Sequence, residues 1–322
     1  MNAIRSTALV LVLPLVLPLA LGQLAQAVGG DIVGQVRDAA GARNFTLAET
    51  EIQGYRATAG VTPELLEALS WLSRGALEAK QYDRADSYVV ETRKLATDIL
   101  RAGRPVDEEP RLPLALGAVI EVHAQVLAAR GQRHDAIAFL AQELAAYRQT
   151  SMAPRIQKNI NLLNLQGKPA PALDVSRWLG PKPASLATLK GHPVLLFFWA
   201  HWCGDCKAEV PILARLMENY GPSGLVLLGP TQYYGFTAGG DATPEQETPY
   251  IDHIRKQYYA ALGALAVPIS AQNFLTYGCS TTPTLVLIDR SGIVRLYHPG
   301  AMTYEELADQ VKRFFVPHVP QS

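Results

Sequence analysis

Cysteine is scarce in this chain and net charge is absent: 322 residues contain three cysteines, and 29 basic side chains meet 29 acidic ones for a formal net charge of +0. Without a field of one sign, nothing draws the protein toward nucleic acid or an anionic membrane, and nucleic-acid binding is not expected. Cys203 and Cys206 stand close together, Cys279 lies far downstream, and the seven histidines include no His-x3-5-His pair near a second cysteine. Half the ligand set of a structural zinc site is therefore missing, and no metal or other cofactor is expected. A structural staple is the weaker alternative, because closing so short a loop constrains the unfolded chain little and a chain of this length buries an ample core without one. A pair that makes and breaks a disulfide is the leading reading.

The first 27 residues are unlike the rest. Arg5 precedes an apolar run over 8–21, and Ala25-Gln26-Ala27 has the small-residue pattern of a cleavage site, so 1–27 reads as a secretory signal peptide. The run is short for a transmembrane span, and Pro14 and Pro18 would disturb a long helix. No cysteine follows it to carry a lipid, and no later stretch looks long and apolar enough to cross a bilayer. The expectation is a periplasmic or otherwise exported protein without stable membrane insertion after signal cleavage, in a compartment where a CxxC pair meets oxidised partners.

Two domains follow a short segment, 28–61. Over 62–166 the apolar residues recur at helical spacing, with Thr62 as N-cap and Pro63 at the first helical position. The Pro-rich stretch 104–113 interrupts the run, and "EAKQYDRADSYV" rhymes with "AARGQRHDAIAF" about 51 residues on. A degenerate tetratricopeptide-like pair and an ordinary helical bundle both fit, since two units fall short of the three that a stacked array normally needs. From 167 to 317 the pattern changes to strands alternating with helices. "PVLLFFW" reads as a buried central strand, a helix is predicted over 205–219, "GLVLLG" is a second buried strand, helices follow near 245–262 and 271–277, and "TLVLID" and "IVRLYH" form a hairpin before a closing helix.

The segments "GKPAPALDV", "ASLATLKGHPVLLFFWAHWCGDCKAEVP" and "YGCSTTPTLVLIDRSGIV", with the closing helix, together resemble the thioredoxin-like thiol-disulfide oxidoreductases of the TlpA/ResA type. The resemblance covers a little under half the chain. It implies an α/β thioredoxin-like C-terminal domain, a central mixed sheet flanked by helices, preceded by an all-α N-terminal domain of helical hairpins.

What the resemblance implies for individual residues is specific. Cys203 is the nucleophile at a helix N-terminus, where backbone N–H groups favour a thiolate, and Cys206 is the resolving thiol; the two form the redox-active disulfide. Thr282 and Pro283 supply a cis-proline facing the CxxC. Thioredoxin's buried aspartate is replaced by Phe197, and Glu209, three residues after Cys206, stands where ResA-type proteins keep a glutamate that tunes the second cysteine; a solvated helix-face glutamate is the alternative. Asp205 beside the nucleophile opposes a thiolate, which suits a reductant. Cys279 reads as a small buried hydrophobe. His201 and Trp202 read as rim around the cysteines and Trp199 as packing, and the tyrosine- and glycine-rich stretch 231–250 as either a lid or recognition loop or a floppy insertion. The implied activity is protein-disulfide reduction, with protein disulfides as substrates, an upstream thiol as electron donor and the helical domain as a possible docking surface. An oxidase or isomerase of the same fold and a partner-docking scaffold are the alternatives.

Overall fold

A computed structural model describes residues 31–101 and 105–315, so the segment read as a signal peptide lies outside the described residues. The first half is helical: α1 (Ile32–Gly41), α2 (Phe45–Ala59), α3 (Pro63–Glu78), α4 (Tyr82–Arg101), α5 (Arg111–Ala129), α6 (Arg133–Ala146) and α7 (Ala153–Asn164). The first six pair into three antiparallel hairpins. Segment 28–61, set apart in the sequence reading, thus supplies the first hairpin, and its Ile32, Val36, Phe45 and Ala48 enter one core with Leu65, Leu69 and Leu72 of α3.

The three turns share one construction. Arg43, Lys80 and Gly131 have φ of 58°, 58° and 81°, and each turn closes with the same backbone bonds: Asn44 N to Ala39 O and Arg43 N to Ala40 O, repeated at Gln81/Ala76 and Lys80/Leu77, and at Gln132/Leu127 and Gly131/Ala128. This is the αL helix stop, in which a residue of positive φ lets the last carbonyls find partners. Arg43 and Lys80 adopt it despite carrying a Cβ, which hides the first turn from a search for glycine.

Two expectations for this half need correction. The Pro-rich stretch is not loop throughout: α5 starts at Arg111, with Pro113 in its first turn, where a missing N–H leaves no helical hydrogen bond unmade. Helix α5 is also long and apolar enough to cross a bilayer, with a mean hydropathy of 1.6 over its most apolar window. Its Leu112, Leu116, Val119, Ile120 and Val126 are buried among the surrounding helices, so its hydrophobicity is spent on the core.

The second half is built on a four-stranded sheet in the order β3 (Val226–Leu228), β2 (Val194–Phe198), β7 (Thr284–Ile288), β8 (Val294–Pro299). Strand β2 runs parallel to β3 and antiparallel to β7, which pairs antiparallel with β8. A further pair, β1 (Trp178–Leu179) with β6 (Val267–Pro268), and a small hairpin, β4 (Phe236–Thr237) with β5 (Gly240–Asp241), lie apart from it. The unbroken apolar run of β2 follows from burial on both faces. Leu195 and Phe197 pack into a core with Leu213, Leu216, Leu307 and the two cysteines, whereas Val194, Leu196 and Phe198 face Phe274, Tyr277 and Cys279. Helices α8 (Gly204–Ala208), α9 (Val210–Tyr220), α10 (Pro244–Tyr258), α11 (Ala271–Tyr277) and α12 (Tyr304–Phe315) complete this half, which has a thioredoxin-like fold.

Candidate redox site

At the C-terminal end of β2 the chain leaves the sheet through Trp199. That residue is fully buried, and its indole donates to Gly229 O at 2.9 Å while Thr231 Oγ1 donates back to Trp199 O at 2.8 Å, tying the ends of β2 and β3 together. A turn closed by Cys203 N to Ala200 O then delivers Cys203 to the N-cap of α8. Its sulfur accepts from Cys206 N at 3.0 Å and is bonded to Cys206 Sγ. Cys203 is 3% exposed and Cys206 not at all, so what access there is lies at the first cysteine.

The sequence predicts one helix over 205–219, but the chain forms two. Glu209 ends α8 and precedes α9, because Pro211, in the first turn of α9, has no N–H to give to the carbonyl four residues back. The break coincides with a buried carboxylate. Glu209 is 1% exposed and its Oε1 accepts from Met302 N at 3.1 Å. Burial raises its pKa above the ordinary carboxylate value, the Met302 amide opposes that, and the Asp205 carboxylate adds to it. Glu209 is therefore no solvated helix-face residue, whereas Asp205 is exposed.

Opposite the disulfide lies the loop before β7. The Thr282–Pro283 peptide is cis, and Thr282 O lies 3.5 Å from Cys203 Sγ. Thr282 Oγ1 is buried without a hydrogen-bond partner. Cys279, four residues before Pro283, packs on the other face of the sheet, where burial pushes its thiol well up. It is separated from the CxxC by β2 and β7.

One group escaped the sequence reading. His201 was expected on an exposed rim, yet it is 1% exposed, because the 231–250 stretch folds over it. Its ring meets the edges or faces of Tyr234, Phe236 and Tyr250 at centroid distances of 5.4, 5.0 and 5.2 Å, and Nε2 lies 3.1 Å from Glu247 Oε1. Glu247, fully buried, also accepts from Tyr234 N at 2.7 Å and Gly235 N at 2.8 Å. Nε2 lies against a carboxylate and Nδ1 is buried without a partner; burial lowers the imidazole pKa, with Glu247 opposing and the Lys207 charge adding to it. The stretch is thus an ordered insertion fastened to the segment before the cysteines. A glutamate 46 residues from a histidine gives no sequence signal of contact. Trp202, beside Cys203, stays 52% exposed with its ring against Tyr234, in agreement with the expected rim.

This arrangement, a buried disulfide capping a short helix with a buried carboxyl one turn beyond Cys206 and the Thr282 carbonyl opposite, is equipped for thiol-disulfide exchange. Comparisons with known proteins agree. The AhpC/TSA family matches residues 166–234. The thiol-disulfide oxidoreductase ResA of Bacillus thuringiensis subsp. konkukian is 30% identical over 148 residues, covering 46% of this chain and 77% of that protein. The chain belongs to the ResA/DsbE-type thiol-disulfide oxidoreductases. The thiol:disulfide interchange protein DsbE of Pseudomonas fluorescens biotype C is likewise 30% identical over an alignment of 157 residues, covering 45% of this chain and 79% of that one. Among solved structures, a putative thiol:disulfide interchange protein DsbE from Chlorobium tepidum aligns with a TM-score of 0.37 and 24% identity, over 47% of this chain and 98% of its own. For a member of the ResA/DsbE type, Cys203 and Cys206 are the CxxC pair.

Proposed function

We propose that the protein is an exported reductase of protein disulfides, with segment 1–27 as its cleaved signal peptide, residues 167–317 as the redox domain and the preceding helical, tetratricopeptide-like hairpins as a platform for protein partners. The observation that carries the redox assignment is the disulfide itself: Cys203 caps a helix, retains the only access, and has Thr282 O at 3.5 Å. In the reduced enzyme the Cys203 thiolate attacks one sulfur of a partner disulfide. The partner's S–S bond breaks, its departing thiolate takes up a proton, and a mixed disulfide remains. Glu209 accepts the proton of Cys206, whose thiolate attacks Cys203 Sγ; the second partner thiolate leaves and is protonated. Two electrons and two protons have passed to the partner, and an upstream dithiol restores the Cys203–Cys206 pair. Thr282 and Pro283 frame the client chain beside the attacked bond.

The direction rests on Asp205, whose charge disfavours a Cys203 thiolate and so favours the oxidised enzyme. Insulin reduction by the purified protein and a reduction potential measured against glutathione test both points. A potential near that of a strong oxidant, with no insulin reduction, would assign the protein as an oxidase instead.

A further inference from the structure

The helical half meets the α/β half through backbone. Helix α7 packs on α11, with Asn161 Nδ2 donating to Thr276 O at 3.3 Å. Gly278, at φ 61°, lies so close to α7 that a Cβ there would collide with the backbone of Lys158. Gly278 begins the loop that ends at Pro283. One end of this loop is therefore seated on the helical half, and its other end places Thr282 O beside the Cys203 sulfur.

Next to this joint is a groove of about 740 Å³ with walls from both halves. The α/β half contributes Ser280 and Thr281, both exposed, and Thr281 immediately precedes Thr282. The helical half contributes Pro110, Pro113 and Leu114 at the start of α5, and Leu114 is 50% exposed. Among the charged groups at the groove, Arg155 and Lys158 share Glu121 at 2.7 and 3.1 Å, and the exposed Asp107 accepts from Ser151 N and Oγ. With one acid and two bases in its lining the groove presents no strong charge of one sign, and its Pro110, Pro113, Leu114 and Met152 suit apolar side chains and an extended backbone.

We infer that this groove continues the client-binding site onto the helical half: it holds an extended, apolar stretch of the client polypeptide flanking the cysteine that Cys203 attacks. The inference rests on the proposed disulfide exchange and adds to it a role for the helical hairpins, which read the client while the CxxC does the chemistry. The continuity is the argument. Thr281 lines the groove together with Pro110, Pro113 and Leu114, and it is joined directly to Thr282, whose carbonyl lies 3.5 Å from Cys203 Sγ.

The test uses the full chain with Cys206→Ala, which stops the reaction at the mixed disulfide. Disulfide-bonded peptides carrying a benzophenone side chain two or four residues from one cysteine are trapped on Cys203, irradiated and mapped by mass spectrometry. Cross-links to residues 110–114 or 151–158 are expected; cross-links confined to the α/β half overturn the inference. In the protein with both cysteines, kcat/KM for a peptide with leucine and phenylalanine flanks should exceed that for a glycine- and serine-flanked peptide about tenfold. Leu114→Asp, at a half-exposed site, should bring that ratio close to one. General damage to the enzyme would slow both peptides alike and leave the ratio unchanged, so a ratio that survives Leu114→Asp, or that is near one in the wild type, refutes the groove. If no disulfide peptide is trapped on Cys203 at all, the exchange reading fails, and this inference with it.

Discussion

Two buried carboxylates, Glu209 and Glu247, follow the CxxC in sequence, and their surroundings differ. Glu247, in the region of the insertion, is surrounded by N–H donors from His201, Tyr234 and Gly235. Glu209, in the region behind Cys206, accepts from Met302 N, and its burial raises its pKa. A carboxylate saturated with donors is a tie, costly to remove. One that is desolvated and sparsely bonded can exchange a proton, at some expense to stability when ionised. The same residue type, equally buried, thus serves architecture in one region and suits proton transfer in the other.

That contrast can be broken by experiment. The largest effect is expected from Glu209→Gln, which keeps the shape and removes the base. Stopped-flow reduction of a model disulfide should show resolution of the mixed disulfide slowed by about 10²–10⁴ near neutral pH, with the first attack nearly unchanged and recovery at alkaline pH. Equal resolving rates from pH 6 to 9 would make Glu209 purely structural. Next comes Glu247→Ala, which leaves a buried imidazole and two backbone N–H groups without an acceptor. Denaturant unfolding should register a loss of about 3 kcal/mol, and a loss below about 1 kcal/mol would remove its role as a tie.

The pH dependence of stability sharpens the comparison further. Because folding raises the Glu209 pKa, the fold favours its protonated form; that contribution is complete below the ordinary glutamate value of 4.5 and is lost as pH rises above it. Glu209→Gln should therefore match the wild type near pH 4 and be the more stable protein at pH 8, as read from urea midpoints. His201 carries the opposite dependence. Its pKa is lowered on folding, so the fold favours neutral imidazole, and stability is lost as pH falls below the ordinary value of 6.5. Between pH 7 and pH 5 the wild type should lose more of its urea midpoint than His201→Gln, which can still donate to Glu247. The smallest effect belongs to the exposed Asp205. Asp205→Pro should make the enzyme more oxidising by a few tens of millivolts, and a shift under about 10 mV would show that Asp205 does nothing to the redox pair.

Much of the α/β half was legible because its signals are local. "PVLLFF" can satisfy two buried faces only as a central strand, and the CxxC and Thr282-Pro283 segments carry a family resemblance that the relatives support. The first helical hairpin was also present in the sequence: Asn44 stands at the N-cap of α2 and accepts from Leu47 N, but the turn before it uses Arg43 where glycine would have announced a helix stop. The helix break at Glu209 had its signal in Pro211. The sequence reading found no stretch after the first 27 residues long and apolar enough to cross a bilayer, whereas α5 is one by length and composition, and only its packed neighbours distinguish a core helix from a spanning one.

By itself the sequence determined the change from helices to alternating strands and helices near 167 and the pair of cysteines that can exchange electrons, since each is written in contiguous residues whose chemistry or periodicity does not depend on distant neighbours. Only the tertiary structure decided which acids matter. In the sequence, Glu247 is an ordinary glutamate on a predicted helix, and Glu209 is marked by the family resemblance alone, with a solvated helix face as the alternative. One became a desolvated carboxyl and the other a three-donor tie through contacts with Met302, His201 and Tyr234, residues 93, 46 and 13 positions away. Burial and hydrogen-bond supply are properties of the packed surroundings, and no reading of a residue's own neighbours along the chain contains them.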